Sequence, residues 1–136
     1  MSKIKIGILG YGNLGQGVEL GVQHAEDMEL VGIFSRRQPD RLNTNSPAFH
    51  VDQLESMKDE IDVLILCGSS DKDLPEQGTY YAEYFNTVDS FDTHNDIPVY
   101  FEKVNQSAVE GSHVAVISSG WDPGLFSLNR LVSEAI

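Results

Sequence analysis

Gly10-Tyr11-Gly12-Asn13-Leu14-Gly15 lies directly after the apolar run Ile4–Leu9 and directly before a segment with helical periodicity. A glycine triplet between a strand and a helix is typical of a dinucleotide-binding turn. In such a turn, Gly10 permits the sharp bend, Gly12 lets backbone N–H groups approach a pyrophosphate, and Gly15 lets the helix pack close to the strand. The same string also suits a plain connection between a strand and a helix, so taken alone it leaves both interpretations open.

The second strand candidate ends at Phe34 and is followed by Ser35-Arg36-Arg37. A cofactor with a free ribose 2′-hydroxyl usually meets Asp or Glu at this point, whereas a 2′-phosphate requires a cation and hydrogen-bond donors. The guanidinium groups suit phosphate oxygens, and Ser35 adds a hydroxyl. We therefore predict NADP(H) rather than NAD(H). The alternative is that the two arginines form a solvated turn after a strand.

The composition limits the class of protein. With 136 residues, of which 40% are hydrophobic, the chain can form one core, so we expect one domain over residues 1–136. A formal charge of −12 argues against nucleic acid as a partner. The single cysteine, Cys67, cannot form an internal disulfide and offers no metal-ligand spacing, which favours a reducing cytoplasm and no metal. Because Met1-Ser2-Lys3 leads directly into a strand candidate, we expect no signal peptide, and no apolar run approaches membrane-spanning length.

Strand candidates alternate with helix candidates along the chain, which predicts a parallel sheet with crossover helices. The strand candidates are Ile4–Leu9, residues 30–34, residues 61–66, Thr87–Asp89 and residues 114–118. The expected fold is α/β, a Rossmann-type doubly wound, mainly parallel sheet with helices on both faces. Residues 37–47 have the composition of a loop. Gly17 and Gly21 in the first helix predict a close packing surface, and Asp96 is the expected N-cap of a helix that opens at Pro98.

In this kind of sheet, ligands bind at the carboxyl ends of the strands, where the strand order reverses. The stretch Gly68-Ser69-Ser70 fits either contact with a ligand or a turn into a helix. Asp92 and Asp122 follow the fourth and fifth strands, where they would hold a substrate ammonium group. Because Asp122 precedes Pro123 and a helical run, the residues alone favour an N-cap at that position. Trp121 would either line a nicotinamide pocket or fill the interior of the domain.

Several longer segments narrow the choice of family. They are Gly10 to Gly15, Gly32-Ile-Phe-Ser-Arg-Arg37, Leu74-Pro-Glu-Gln77, Val88-Asp-Ser-Phe-Asp92 with His94 and Asp96-Ile-Pro98, and Ser119-Gly-Trp-Asp-Pro-Gly124 with Phe126, Ser127 and Arg130. On these segments the chain resembles the meso-diaminopimelate dehydrogenase family over nearly its whole length. The Asp92 segment and the stretch from Trp121 to Gly124 are more specific than the glycine turn, which many dehydrogenases share.

The resemblance implies an enzyme that catalyses the reversible NADP-dependent oxidative deamination of meso-2,6-diaminopimelate to L-2-amino-6-oxopimelate, a reaction of lysine biosynthesis. It implies that Asp92 and Asp122 contact the D-amino acid end of the substrate, which replaces the N-cap interpretation of Asp122. The implied cofactor contacts are Gly10, Tyr11, Gly12, Asn13, Leu14, Gly15, Ser35, Arg36, Arg37, Cys67, Gly68, Ser69, Ser70, Ser90, Phe91, Asp92, Ser119, Gly120, Trp121, Asp122 and Pro123.

Family members are more than twice as long as this chain, and the resemblance implies a homodimeric cytoplasmic enzyme. We therefore expect that residues 1–136 are the NADP-binding domain, cut before a C-terminal domain for substrate binding and dimerisation, and that they are inactive by themselves. Two other classes remain open. One is a stand-alone NADPH-binding or sensing module, and the other is a different oxidoreductase, such as a dihydrodipicolinate-reductase-like enzyme or a sugar dehydrogenase.

Overall fold

The computed structural model describes residues 2–135, and only the backbone of residues 122 and 123. Within that range, six parallel strands form one sheet in the order β3-β2-β1-β4-β5-β6. The strands are β1 (Ile4–Leu9), β2 (Met28–Ser35), β3 (Ala48–His50), β4 (Val63–Leu66), β5 (Thr87–Asp89) and β6 (Ala115–Val116). The order reverses between β1 and β4, which is the arrangement of a doubly wound Rossmann sheet. The predicted fold class is confirmed.

Four α-helices lie between or after the strands of the described chain. They are α1 (Asn13–His24), α2 (Leu74–Ala82), α3 (Ile97–Gly111) and α4 (Phe126–Glu134). Proline stands in the first turn of α2 and of α3, where a missing N–H costs no helical hydrogen bond. A short π-helical segment, Trp121–Leu125, precedes α4.

Alternating side chains of the sheet form two hydrophobic cores, one on each face. On one face, Ile6, Ile8 and Ile33 pack with Val22 of α1. On the other face, the side chains pack against α2 and α3; this core contains Leu9, Phe34, Leu64, Leu66, Leu74, Phe85, Tyr100 and Val104. Because helices pack on both faces, the carboxyl ends of the strands are where a ligand is expected to bind.

The structure adds one strand that was not predicted, contradicts the expected packing at Gly17 and Gly21, and places Asp96 at the predicted N-cap position without the expected hydrogen bond. Strand β3 lies just after the predicted loop, where it pairs with β2, and the Phe49 ring stacks on Phe34 with ring centroids 5.4 Å apart. Gly17 and Gly21 do not lie at a packing surface. A Cβ at either position would meet no described atom within 4 Å, apart from the backbone of its own helix. Asp96 stands at the N-cap of α3 but makes no side-chain hydrogen bond to it.

The structure contains no described helix that is long and apolar enough to span a membrane. Among the described residues there is also no group of three or more His, Cys, Asp or Glu side chains that could hold a metal ion.

Candidate functional site

The reversal of strand order leaves a crevice of about 550 Å³ at the carboxyl ends of β1, β2 and β4. Three of the predicted segments meet there: Gly10 to Gly12, Ser35 to Arg37, and Cys67 to Ser69. Its other lining residues are Leu9, Val51, Asp73, Gln77 and Tyr81. The sequence predicts that these three segments follow the ends of strands, and the parallel sheet brings those strand ends to one edge.

The glycine turn has the geometry that its sequence predicts. Gly10 has a φ of +95°, which only glycine adopts readily. A Cβ at Gly15 would stand 2.3 Å from the carbonyl oxygen of Gly10, so glycine is required for the close packing of α1 on this turn. At Gly12 a Cβ would meet no described atom within 4 Å beyond its neighbours, which leaves open space in front of the backbone.

The N-terminus of α1 faces this turn without a partner from the described part of the chain. Its N-cap is Gly12, no described side chain caps it, and no acidic residue lies in its first turn. The free backbone N–H groups of a helix N-terminus and the positive end of the helix dipole together attract an anion. This end of the helix is therefore suited to a phosphate group.

Tyr11 lines the crevice, and its side chain is hydrogen-bonded inside the protein. The Tyr11 hydroxyl donates a short hydrogen bond to the carboxylate of Glu19, which is 7% exposed. Hydroxyl groups of Thr44 and Ser46 donate to the same carboxylate, each at 2.6 Å. These contacts join the glycine turn, α1 and the loop after β2, so they hold the turn in one geometry.

Burial and hydrogen bonding act in opposite directions on the pKa of Glu19. Burial raises it, but the hydrogen bonds from Ser46, Thr44 and Tyr11 outweigh burial and keep the pKa below its ordinary value of 4.5. The side chain is therefore held as a carboxylate by three hydroxyl groups. Sequence analysis did not identify this residue, since a glutamate inside a helix gives no sign of the three partners that reach it from elsewhere.

The two arginines in the turn after β2 have different hydrogen-bond partners. Arg37 donates a short hydrogen bond from its guanidinium to the Tyr11 carbonyl oxygen, and its backbone N–H donates to the Ser35 hydroxyl at 3.1 Å. The Arg36 side chain is 77% exposed and forms an ion pair with Asp73, with 2.9 Å between Nη2 and Oδ1. Both arginines line the crevice.

Asp73 is a carboxylate that sequence analysis did not place in this site. No acidic residue follows β2 directly in the chain, but Asp73 reaches the same point from the start of α2. Its Oδ2 atom also accepts hydrogen bonds from the backbone N–H and the hydroxyl of Ser69, each at 3.0 Å. The backbone N–H of Ser69 lowers the pKa of Asp73, burial opposes this, and the Ser69 hydroxyl and Arg36 lower it further.

In the segment after β4, Cys67 and Gly68 have structural roles, whereas Ser70 lines a depression at the surface. A Cβ at Gly68 would stand 2.5 Å from the Asp73 Cβ, so this glycine makes room for the turn into α2. Burial raises the pKa of the Cys67 thiol to about 12, as expected for a small apolar side chain. Ser70 lies in a neighbouring depression of about 340 Å³, and its hydroxyl accepts a hydrogen bond from the Asp92 N–H at 3.2 Å.

The remaining predicted contacts lie outside the crevice. Leu14, Ser90 and Ser119 line a separate depression of about 230 Å³. Asn13 and Asp92 are exposed. Phe91 is 2% exposed and stacks on Tyr100 with ring centroids 4.1 Å apart, so its side chain packs mainly in the core, at the wall of the depression that contains Ser70.

The segment after β6 has an exposed aromatic side chain. Trp121 is 68% exposed and lies 6.0 Å from Phe126 between ring centroids, so it does not fill the domain interior. Gly120 has a φ of +138°, which only glycine adopts readily. The side chains of Asp122 and Pro123, both predicted contacts, lie outside the described residues.

Asp89 connects the end of β5 to the elements on both sides. Its Oδ1 accepts backbone hydrogen bonds from Phe91 and Ser118 at 3.0 Å, and its Oδ2 accepts one from the Tyr100 hydroxyl at 2.6 Å. The Asp89 residue is 3% exposed. It therefore fixes the segments that lead to Asp92 and Trp121, which is a structural role.

Comparison with known proteins places the chain among dehydrogenases. No protein-family model matches it. It is 61% identical over 138 residues to a meso-diaminopimelate D-dehydrogenase from Ureibacillus thermosphaericus, an alignment that covers 100% of this chain and 42% of that relative. The chain thus spans about two fifths of the length of the curated relatives it matches.

Two solved structures are similar throughout the chain. The diaminopimelate dehydrogenase of C. glutamicum in complex with DAP matches with a TM-score of 0.90 and 45% identity, covering 99% of this chain and 42% of that one. An engineered D-amino acid dehydrogenase bound to NADP+ also matches with a TM-score of 0.90 and 45% identity, covering 98% of this chain and 41% of that one. The chain therefore belongs to the meso-diaminopimelate dehydrogenase family.

Proposed function

We propose that residues 1–136 are the NADP(H)-binding domain of a meso-diaminopimelate dehydrogenase. The observation that carries the proposal is the crevice that joins the glycine turn, the uncapped N-terminus of α1 and the guanidinium groups of Arg36 and Arg37. The solved relative bound to NADP+ supports the same cofactor. In a chain with a net charge of −12, an anionic ligand requires local donors of this kind.

The residues present fit such a cofactor. The open space at Gly12 and the free N–H groups of α1 suit a pyrophosphate. An exposed guanidinium at Arg36 suits a 2′-phosphate. The Oε1 atom of Gln77, in the crevice wall, is buried and has no hydrogen-bond partner among the described residues, so it is available to a donor on a ligand.

We infer the reaction from the relatives. The nicotinamide would supply the acceptor for the hydride on the carbon that bears the D-amino group of meso-2,6-diaminopimelate, and the amino group, which gives up a proton to solvent, would become an imine. Water then releases ammonia and leaves L-2-amino-6-oxopimelate. Asp92 and Asp122 are proposed to bind the substrate ammonium. A carboxylate 4 Å from an ammonium contributes about 4 kcal/mol at an effective dielectric constant of 20, which is enough to orient the amine.

The cofactor assignment is tested by replacing Arg36 with alanine and titrating both nucleotides by calorimetry. Binding of NADPH should weaken by about 1.5–3 kcal/mol, the contribution of a hydrogen bond to a charged group, with little change for NADH. Arg41→Ala, which removes the same charge from an arginine that does not line the crevice, is the control. An equal loss for both nucleotides in Arg36→Ala would contradict recognition of a 2′-phosphate.

The activity is tested on the full-length enzyme of which we propose residues 1–136 are the cofactor-binding domain, and on its Asp92→Asn and Asp122→Asn variants, with meso-diaminopimelate and NADP. Each substitution should reduce deamination strongly, because a neutral amide holds the ammonium less well. Asp96→Asn, which removes a nearby charge, should retain activity. Undiminished deamination in both variants would remove the amine-binding role, and cofactor binding without turnover of any diamino acid would favour a stand-alone NADPH-binding module.

We further propose that the chain acts in the cytoplasm as part of a homodimer. The cysteine is a buried free thiol, which agrees with a reducing compartment. Exposed apolar side chains on α4, at Leu128, Leu131 and Val132, support an association surface. Sedimentation that shows a clean monomer at micromolar concentration would contradict association through this helix.

A further inference from the structure

The Arg36 guanidinium, to which the proposed function assigns a 2′-phosphate, is already paired with a carboxylate. Asp73 Oδ1 lies 2.9 Å from Arg36 Nη2, and both residues line the crevice. The carboxylate is well fixed, because its other oxygen accepts two hydrogen bonds from Ser69. A phosphate that binds this guanidinium would therefore approach an immobile negative charge.

We propose that Asp73 is a specificity-determining residue that weakens the preference for a phosphorylated ribose. This inference rests on the proposed NADP(H) site and concerns how strongly that site selects its cofactor. The carboxylate repels the 2′-phosphate and occupies one face of the Arg36 guanidinium. A nucleotide without the 2′-phosphate experiences neither effect to the same degree, so the ion pair reduces the difference in affinity between NADPH and NADH.

The arrangement of donors supports this role. Ser69 donates both its backbone N–H and its hydroxyl to Asp73, and Arg36 donates to the same group, so three donors beside the crevice are directed at a protein carboxylate. A hydrogen-bonded carboxylate of this kind remains ionised at neutral pH. Arg37, by contrast, donates to a backbone carbonyl oxygen, which carries no net charge. The negative charge beside the proposed phosphate position therefore comes from Asp73.

The test is Asp73→Asn, with NADPH and NADH titrated by calorimetry at low ionic strength. Asparagine retains a carbonyl oxygen that can accept from Ser69, and it removes the charge. We expect NADPH to bind about threefold to tenfold more tightly and NADH to change by less than about twofold, since a phosphate and a carboxylate a few ångströms apart in a partly hydrated site repel by about that amount. The gain should shrink when salt is raised from about 0.02 M to about 0.5 M, because salt screens the repulsion.

Two further variants separate this effect from its alternatives. Asp71→Asn removes an equal charge from an exposed neighbour in a different depression and should leave both affinities unchanged. Ser69→Ala removes one hydrogen bond to Asp73 and keeps the charge, so it should not increase the affinity for NADPH. Thermal melting of each variant establishes that it is folded.

Each outcome decides the matter. A gain confined to Asp73→Asn and NADPH, and reduced by salt, supports the proposal. An unchanged or weaker affinity of Asp73→Asn for NADPH overturns it and leaves the proposed function intact. An equal gain in Asp71→Asn overturns it as well, since net charge would then be the cause. If the unsubstituted protein binds neither nucleotide, both the proposed function and this inference are wrong.

Discussion

Replacing Asp89 with alanine removes the acceptor of three hydrogen bonds from the interior of the protein. The donors are the N–H groups of Phe91 and Ser118 at 3.0 Å and the Tyr100 hydroxyl at 2.6 Å. Each hydrogen bond to a charged group contributes about 1.5–3 kcal/mol. Because three bonds to one group are not additive, we expect Asp89→Ala to lower the free energy of unfolding by about 3–5 kcal/mol. A loss of this size is a large fraction of the 5–15 kcal/mol that is typical of a domain.

The structure also predicts which segments become more mobile when Asp89 is replaced with alanine. Ser118 has a φ of +57°, a conformation that a residue with a side chain adopts at a cost, and its N–H group is bound by Asp89. Loss of the carboxylate should therefore loosen the turn that leads to Trp121 and the segment that leads to Asp92. Amide hydrogen exchange should increase there before it increases in β1.

Urea unfolding followed by circular dichroism measures the loss, with Tyr100→Phe and Asp89→Asn as matched controls. Tyr100→Phe keeps the ring that stacks on Phe91 and removes one hydrogen bond, so it should cost about 1–2 kcal/mol. Asp89→Asn retains one acceptor oxygen, so its loss in the free energy of unfolding should lie between those of Asp89→Ala and Tyr100→Phe. A cost below about 1 kcal/mol for Asp89→Ala, or a double variant with Tyr100→Phe whose losses simply add, would refute the reasoning.

Three further predictions concern the proposed cofactor site and its surroundings. Gly15→Ala should weaken NADPH and NADH binding alike, because its Cβ would stand 2.3 Å from the Gly10 carbonyl oxygen and open the turn; a selective loss of NADPH in calorimetry would contradict this. The pKa of Glu19 is lowered on folding, so its stabilising effect is complete above its ordinary value of 4.5 and is lost as the pH falls through the folded value. Acid titrations of stability should therefore be less steep in Glu19→Gln, and parallel curves would count against the network. Because burial raises the pKa of Cys67 to about 12, iodoacetamide at about pH 8 should label the folded protein far more slowly than the protein in urea, and equal rates would show that the thiol is accessible.

Much of the sheet was predictable because it depends on local patterns. The apolar run of β1, the glycine turn after it and the alternation of strands with helices indicate a parallel sheet without knowledge of any long-range contact. Strand β3 was missed because three residues are too few to show a periodicity, and its pairing with β2 is what makes it a strand. The resemblance implies a cofactor contact at Phe91, but no local pattern indicated that its ring would stack on Tyr100.

The sequence by itself indicated the alternation of strands with helices, the glycine turn and the arginine pair after β2, because these depend on residues that are neighbours along the chain. Only the tertiary structure decided what those residues meet. Arg36 forms an ion pair with Asp73, 37 positions away in the sequence. The Glu19 carboxylate accepts hydrogen bonds from hydroxyl groups that come before and after α1 in the chain. Such contacts follow from how the crossover segments bring distant residues to one edge of the sheet, and hydrogen-bond partners at that separation leave no periodic pattern in the chain.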